Sequence, residues 1–250
     1  MTLNRPDVRN AFNAELIARL HDVFSDRETV AGLRAILLDG AGSVFCAGAD
    51  LAWMRDSAKL SEENNRVDAR GMSQMFQAIR NHPLPVIARV QGAALGGGAG
   101  LMAAADITLI ADGAKVGFTE VRLGIIPAVI SPFAMDKIGA THARRYFLTG
   151  EIFDGIEAAR IGLAQRVCAE SALDDEVAAV VKAICAAGPR AVSEAKKLAL
   201  DVPQTPRDEV HEEVARRISS IRVTPEAQER MAAFLDGVTR QRMHDRGDES

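Results

Sequence analysis

The clearest chemical signal in this sequence is a cluster of glycines. Gly96-Gly97-Gly98-Ala99-Gly100 stands between an apolar run ending at Val90 and the helix-like run Leu101-Met102-Ala103-Ala104-Ala105. Backbone N–H groups crowded at a helix start, with no side chains in the way, form a site for developing negative charge. The chemistry this arrangement predicts is stabilisation of an oxyanion. A second small-residue segment, Phe45-Cys46-Ala47-Gly48-Ala49-Asp50-Leu51, lets a backbone or a ligand approach closely, and Asp50 is placed to cap the helix that follows. Both segments sit at the carboxyl ends of strand-like runs, where α/β folds bind ligands.

Other site chemistries fit less well. Gly98-Ala99-Gly100-Leu101-Met102-Ala103 matches the dinucleotide fingerprint G-x-G-x-x-A, and Glu120 follows further on. However, Gln91-Gly92-Ala93-Ala94-Leu95 separates these glycines from their strand, whereas a dinucleotide turn follows its strand almost at once. His21, His82, His142, His211 and His244 show no metal-ligand spacing, so no metal site is expected. Ser131 lacks the Gly-x-Ser-x-Gly context of a nucleophile elbow.

The elements that position these loops alternate. Arg34-Ala35-Ile36-Leu37-Leu38-Asp39-Gly40 reads as a buried strand, and residues 62–81 carry Val67, Met72, Met75, Phe76 and Ile79 at helical spacing before His82-Pro83. Strands at 86–90, 107–111 and around 116–118 complete a β-α-β-α order, which predicts a layered α/β core. From about residue 131 the pattern is Ala-rich and amphipathic, with almost no strand signal. Helices are expected at 174–187 and 189–200, and the polar tail 240–250 is expected to fray.

Composition narrows the class. The 250 residues can bury one large core with an appended helical region, and the net charge of −4 with dispersed basic residues gives no reason to expect nucleic acid. No run approaches the ~20 apolar residues of a membrane span. Cys46, Cys168 and Cys185 form no Cys-x-x-Cys pair, and the first residues resemble no signal peptide, so a cytoplasmic protein is expected.

Several ordered motifs together resemble the crotonase, or enoyl-CoA hydratase/isomerase, superfamily. They are Thr2-Leu3-Asn4-Arg5-Pro6, Asn10-Ala11, the segment 45–51, Gln91 through Gly98, Ala105-Asp106-Ile107, Glu120 through Pro127, Phe147-Leu148-Thr149-Gly150 and Ala158 through Leu163. The resemblance implies an α/β spiral of β-β-α repeats over residues 1–190. It also implies a C-terminal helical region, 191–250, that builds a homotrimer or a dimer of trimers. The implied ligand is an acyl-CoA thioester, with no cofactor beyond the coenzyme A of the substrate.

Carried over by motif, the oxyanion donors are the amides of Ala49 and Gly97. Relatives usually present a first glutamate two residues after the glycine triplet, but that position here is Gly100. The second is matched by Glu120, which becomes the expected acid–base group, in an apolar site that should raise its pKa. Asp7, Arg9, Ala11, Ala47, Gly48, Asp50 and Leu51 are the expected CoA-side contacts, with Gly96 and Thr119 flanking the chemistry. Trp53 and Met54 are expected in the acyl pocket, and Phe234 is matched to a residue that closes the nucleotide pocket from another subunit.

The details Ala49 to Met54, Gly100 and Pro127 to Pro132 look most like methylglutaconyl-CoA hydratases of leucine degradation. A distal carboxylate on that substrate calls for a cation, for which Arg122 is one candidate by its proximity to Glu120 in sequence, an ion-paired scaffold role being the alternative. An enoyl-CoA isomerase and a non-catalytic acyl-CoA binder are the alternatives. Relatives carry a strand before Leu3-Asn4-Arg5-Pro6, so an edge of the sheet is expected to be missing here.

Overall fold

A computed structural model describes residues 1–26 and 32–247 of the chain. They divide into two compact units, Met1–Lys182 and Ala183–Ser250. In chain order the first unit holds β1 (Thr2–Leu3), α1 (Ala14–Ser25), β2 (Ile36–Gly40), α2 (Leu51–Ser57), α3 (Glu62–Arg80), β3 (Val86–Val90), β4 (Ala93–Leu95) and α4 (Gly97–Ala104). It continues through β5 (Ile107–Ala111), β6 (Lys115–Gly117), α5 (Ser131–Thr149), β7 (Ile152–Phe153), α6 (Gly155–Arg160) and β8 (Arg166–Cys168) into α7 (Leu173–Ala186). The expected division at residue 190 falls inside α8 (Pro189–Asp201), which α9 (Val210–Arg222) and α10 (Pro225–Gly247) follow.

The main sheet runs β1-β2-β3-β5-β8, every neighbouring pair parallel, and a second sheet runs β4-β6-β7. An isolated bridge from Cys46 to Ala94 extends the second sheet by one position. Each turn of chain therefore places a strand in the first sheet, a strand or bridge in the second, then helix: β2–Cys46–α3, β3–β4–α4, β5–β6–α5. This is the β-β-α spiral. Val86, Ile87, Ala88, Val90, Leu109 and Ile110 are all fully buried, which is why these strands read as continuous apolar runs rather than alternating ones.

The edge of the sheet is occupied, because Thr2 and Leu3 pair with Asp39 and Gly40. Two strands lie in the stretch beyond residue 131, where the sequence shows almost no strand signal. β8 adds to the main sheet through Leu109–Arg166 and Ile110–Val167, and β7 pairs antiparallel with β6. Both are only two or three residues long and partly exposed, so they carry no period for a sequence pattern to reveal; neighbouring strands supply their pairing. Val67, expected on the apolar face of α3, is exposed, whereas Met75, Phe76 and Ile79 are fully buried.

In the second unit, the Glu226 carboxylate accepts from the Arg190 and Ala191 amides at the start of α8 (3.0 and 3.1 Å), a favourable place for negative charge. Arg217 links Glu213 and Asp201 at 2.6 Å each, tying α9 to the end of α8. The helix α10 runs on through Gly247, so most of the tail is helical, and residues 248–250 lie outside the described residues. Among the described residues no helix is long and apolar enough to cross a membrane.

Candidate active site

Hydrogen bonds from buried amides shape the first loop. Asn10 donates from Nδ2 to the carbonyls of Ala41 (2.9 Å) and Val44 (2.7 Å), and Gln91 donates from Nε2 to that of Gly40 (2.6 Å). Phe12 then bridges to Ala49: its amide donates to Gly48 O (2.7 Å) and its carbonyl accepts from Asp50 N (2.8 Å). That pairing uses the groups on either side of Ala49. In extended chain the N–H of the intervening residue points the opposite way, leaving the Ala49 amide free to face a ligand.

The second loop arrives against the first. Gly48 has φ +93°, a conformation that favours glycine, and a Cβ there would lie 2.8 Å from Leu95 O and 3.8 Å from Gly97 N. Gly98 approaches Cys46 more closely still, its imagined Cβ 2.3 Å from the Cys46 carbonyl oxygen. The small residues of both loops are thus explained by backbone meeting backbone. Gly97 is the first residue of α4, so its N–H is one of the helix donors without an intrahelical partner.

Glu120 opens the 3-10 turn Glu120–Leu123 beyond β6. Its Oε1 lies over Gly96, where a Cβ would come within 3.3 Å, and its Oε2 is buried with no hydrogen-bond partner among the described residues. Burial pushes this carboxyl above its ordinary pKa, only partly offset by a hydrogen bond from its own backbone amide.

Ala49, Gly97 and Glu120 line one cavity of about 570 Å³. Phe12, Trp53, Met54 and Ser57 line it too, as do Asn65, Asp68, Ala69 and Met72 of α3 and the segment from Leu123 and Ile125 to Ile130. Sequence reasoning missed the α3 wall. Its signal is the spacing 65, 68, 69, 72 on one helical face, which leads into the core positions Met75, Phe76 and Ile79.

Gly100 is filled differently. A Cβ there would sit 2.4 Å from Ile130 Cγ2 and 2.9 Å from Phe76 Cζ, so apolar atoms occupy the space that a carboxylate at this position would need.

The other expected site residues are placed as follows. Asp7 and Arg9 are exposed and Ala11 is buried, on a loop whose Arg9 carbonyl accepts from Ala47 N at 3.0 Å, so residues 7–11 lie beside residues 47–50. Leu51 is exposed, and Thr119 is half-buried outside the cavity lining. Arg122 does not line the cavity either. It lies against Gly150, because two residues along a 3-10 turn is about two-thirds of a rotation from Glu120. Phe234 is exposed on α10, in the second unit.

Both oxygens of Asp50 are engaged within the protein. Oδ1 accepts from the amides of Ala52 (2.9 Å) and Trp53 (3.5 Å), and Oδ2 pairs with Arg5 at 2.9 Å. Burial alone would raise this carboxyl, but the Ala52 amide and Arg5 outweigh it and hold the pKa below its ordinary value. Asp50 therefore fixes the start of α2, which carries Trp53 and Met54 into the cavity. The Asp50→Ala variant is expected to lose about 1–2 kcal/mol of stability, read as a lowered Tm in thermal unfolding.

The sequence model of the family described as Enoyl-CoA hydratase/isomerase matches residues 1–241. The crotonyl-CoA hydratase of Syntrophomonas wolfei is 31% identical over 236 residues, covering 94% of this chain and 90% of the relative. Among solved structures, an enoyl-CoA hydratase/isomerase from Marinobacter aquaeolei aligns with a TM-score of 0.88 at 33% identity, over 94% of this chain and 92% of that one. The enoyl-CoA hydratase of Mycobacterium smegmatis aligns with a TM-score of 0.88 at 31% identity, over 94% and 91%. With the whole spiral and nearly the full sequence matched, the chain belongs to the enoyl-CoA hydratase/isomerase family.

Proposed function

We propose that the chain hydrates the 2,3-double bond of an enoyl-CoA thioester, with Glu120 as its single acid–base group and the Ala49 and Gly97 amides holding the thioester oxygen. The observation that carries this reading is the Oε2 of Glu120, buried with no hydrogen-bond partner among the described residues, on a residue that lines the same cavity as Ala49 and Gly97. In the addition, the Glu120 carboxylate takes a proton from water and the hydroxide bonds to the β-carbon. The electron pair of the double bond moves onto the thioester oxygen as an enolate. Glu120 then returns its proton to the α-carbon, giving a 3-hydroxyacyl-CoA. One backbone donor to such an oxyanion is worth roughly 2.7–4 kcal/mol in other enzymes.

The CoA portion is assigned to the loop pair 7–11 and 47–51, which lies beside the first oxyanion donor. The acyl chain is assigned to the cavity with Trp53 and Met54. A 3-methylglutaconyl chain would bring a second carboxylate, and Arg122 stands outside the lining. A short or branched chain without that carboxylate suits the cavity better. Exposed Ile218, Val223, Phe234 and Leu235 support the second unit as the assembly surface of a homotrimer or a dimer of trimers, in which Phe234 closes a neighbour's nucleotide pocket.

A second reading, enoyl-CoA isomerisation, is favoured by the filling of the Gly100 space with Ile130 and Phe76. One carboxylate is enough to move a proton from C2 to C4, and no water is consumed. Incubation with a short 2-enoyl-CoA separates the two readings. Loss of the enoyl-thioester absorbance with formation of a 3-hydroxyacyl product is expected. Conversion of a 3-enoyl-CoA without any water addition would establish the isomerase instead, and tight binding with no turnover of either would mark a non-catalytic acyl-CoA binder.

A further inference from the structure

We propose that Asp68 sets the charge selectivity of the acyl pocket, so that the site takes enoyl-CoA thioesters with uncharged acyl chains and turns away those ending in a carboxylate. This rests on the hydratase reading above and concerns the same cavity. Two carboxylates, Glu120 and Asp68, line that cavity, and no Lys, Arg or His does so among the described residues.

Asp68 is half-buried and forms no hydrogen bond or ion pair among the described residues. The acids earlier on the same helix are spent: Glu62 and Glu63 both pair with Arg66, at 3.1 Å each. Arg66 and Arg70 are two residues to either side of Asp68, about 200° around an α-helix, and neither lines the cavity.

The neighbouring polar groups do not compensate. The side-chain amide of Asn65 donates to the carbonyls of Leu60 and Ser61, both at 3.2 Å, and Ser57 offers a single buried hydroxyl with no partner among the described residues. A substrate carboxylate entering this wall would lose water and meet a like charge with no cation to answer it. An alkyl chain meets Trp53, Met54 and Met72 instead. Specificity built from an unanswered charge against the wrong ligand is a general device.

The test compares two five-carbon 2-enoyl-CoA thioesters, one ending in a methyl group and the other in a carboxylate, on the full chain at low salt. In the wild type, kcat/KM for the methyl compound is expected to exceed that for the carboxylate compound by about 100-fold, since a contact like charge and a lost hydration shell each contribute factors of order ten. Asp68→Asn is expected to shrink that ratio about tenfold by raising the rate on the carboxylate compound, and Asp68→Lys to shrink it further. A gain of activity is a result that misfolding cannot produce. Equal use of the two thioesters by the wild type overturns the proposal, as does an unaltered ratio in both variants while the methyl compound is still hydrated. Turnover of neither thioester by the wild type overturns the hydratase reading and this one with it.

Discussion

Glu120→Gln is expected to lower turnover at least about a hundredfold, within the usual range for loss of a general acid–base group, with KM much less changed. Gln keeps the shape and the contact over Gly96 but can neither take a proton from water nor return one. Steady-state kinetics on a short 2-enoyl-CoA decides the matter, and turnover within a few-fold of wild type would remove Glu120 from the chemistry.

The pH profile gives an independent readout. The carboxylate is the working form, so kcat/KM of the wild type should fall as pH drops through the raised pKa of Glu120, above the ordinary carboxylate range. In the Glu120→Gln variant that acid limb disappears from the residual rate. Stability moves the other way. A carboxyl whose folded pKa is raised binds a proton in the native state at pH values where the unfolded chain has released it, so its burial costs stability at neutral pH. The same substitution is therefore expected to leave Tm unchanged or raise it, which separates a catalytic loss from a folding defect.

Gly97→Ala is the second large effect. The added methyl group would lie 2.4 Å from Phe12 Cε2, and Phe12 is fully buried with its ring edge-on to Phe76 at 6.3 Å between centroids. Phe12 also lines the cavity, so the clash is relieved by its ring moving into the substrate space, by a tilt of the start of α4 that carries the Gly97 amide off its line, or by both, and each displaces the thioester from its donors. Loss of one oxyanion donor corresponds to about 10²–10³ in kcat, and overpacking of this kind costs about 1–3 kcal/mol.

Gly98→Ala is expected to be worse for folding, because its methyl meets the Cys46 carbonyl, a backbone atom, at 2.3 Å. Gly71→Ala serves as the control. It lies in α3 with nothing within 4 Å of an added Cβ, so Tm should rise slightly, by the equivalent of roughly 0.5–1 kcal/mol. Parallel measurement of kcat and Tm for the three variants checks the ordering, and full activity in Gly97→Ala would refute the assignment of its amide.

Much of this was legible in the residues themselves. Apolar runs that are buried on both faces announce β3 and β5 without reference to neighbours. Loops of Gly and Ala announce places where backbones must touch, whereas the gap of one carboxylate at Gly100 shows only against the motif of the family that the sequence resembles. Three things were not legible. The strands β7 and β8 are too short and too exposed to show a period, and exist because β6 and β5 offer them unpaired backbone. The side of a 3-10 turn on which Arg122 falls depends on the path of residues 120–123, so adjacency in sequence to Glu120 misdirected it. The wall contributed by Asn65, Asp68 and Met72 is polar and apolar together, a mixture that looks like an ordinary helix surface until the cavity is seen.

Local backbone requirements and residue type were enough to read an alternating α/β order and the two loops of small residues, while the spiral and the single site carboxylate, Glu120, followed from the resemblance of the ordered motifs to a family. Only the tertiary structure decided that Ala49, Gly97 and Glu120 line one cavity, that Ile130 and Phe76 fill the space beside Gly100, and that Asp68 lines the same cavity with no ion-pair partner among the described residues. Those facts depend on contacts between segments far apart in the chain, and on the direction in which each side chain leaves its helix or turn. No pattern along a single segment records either.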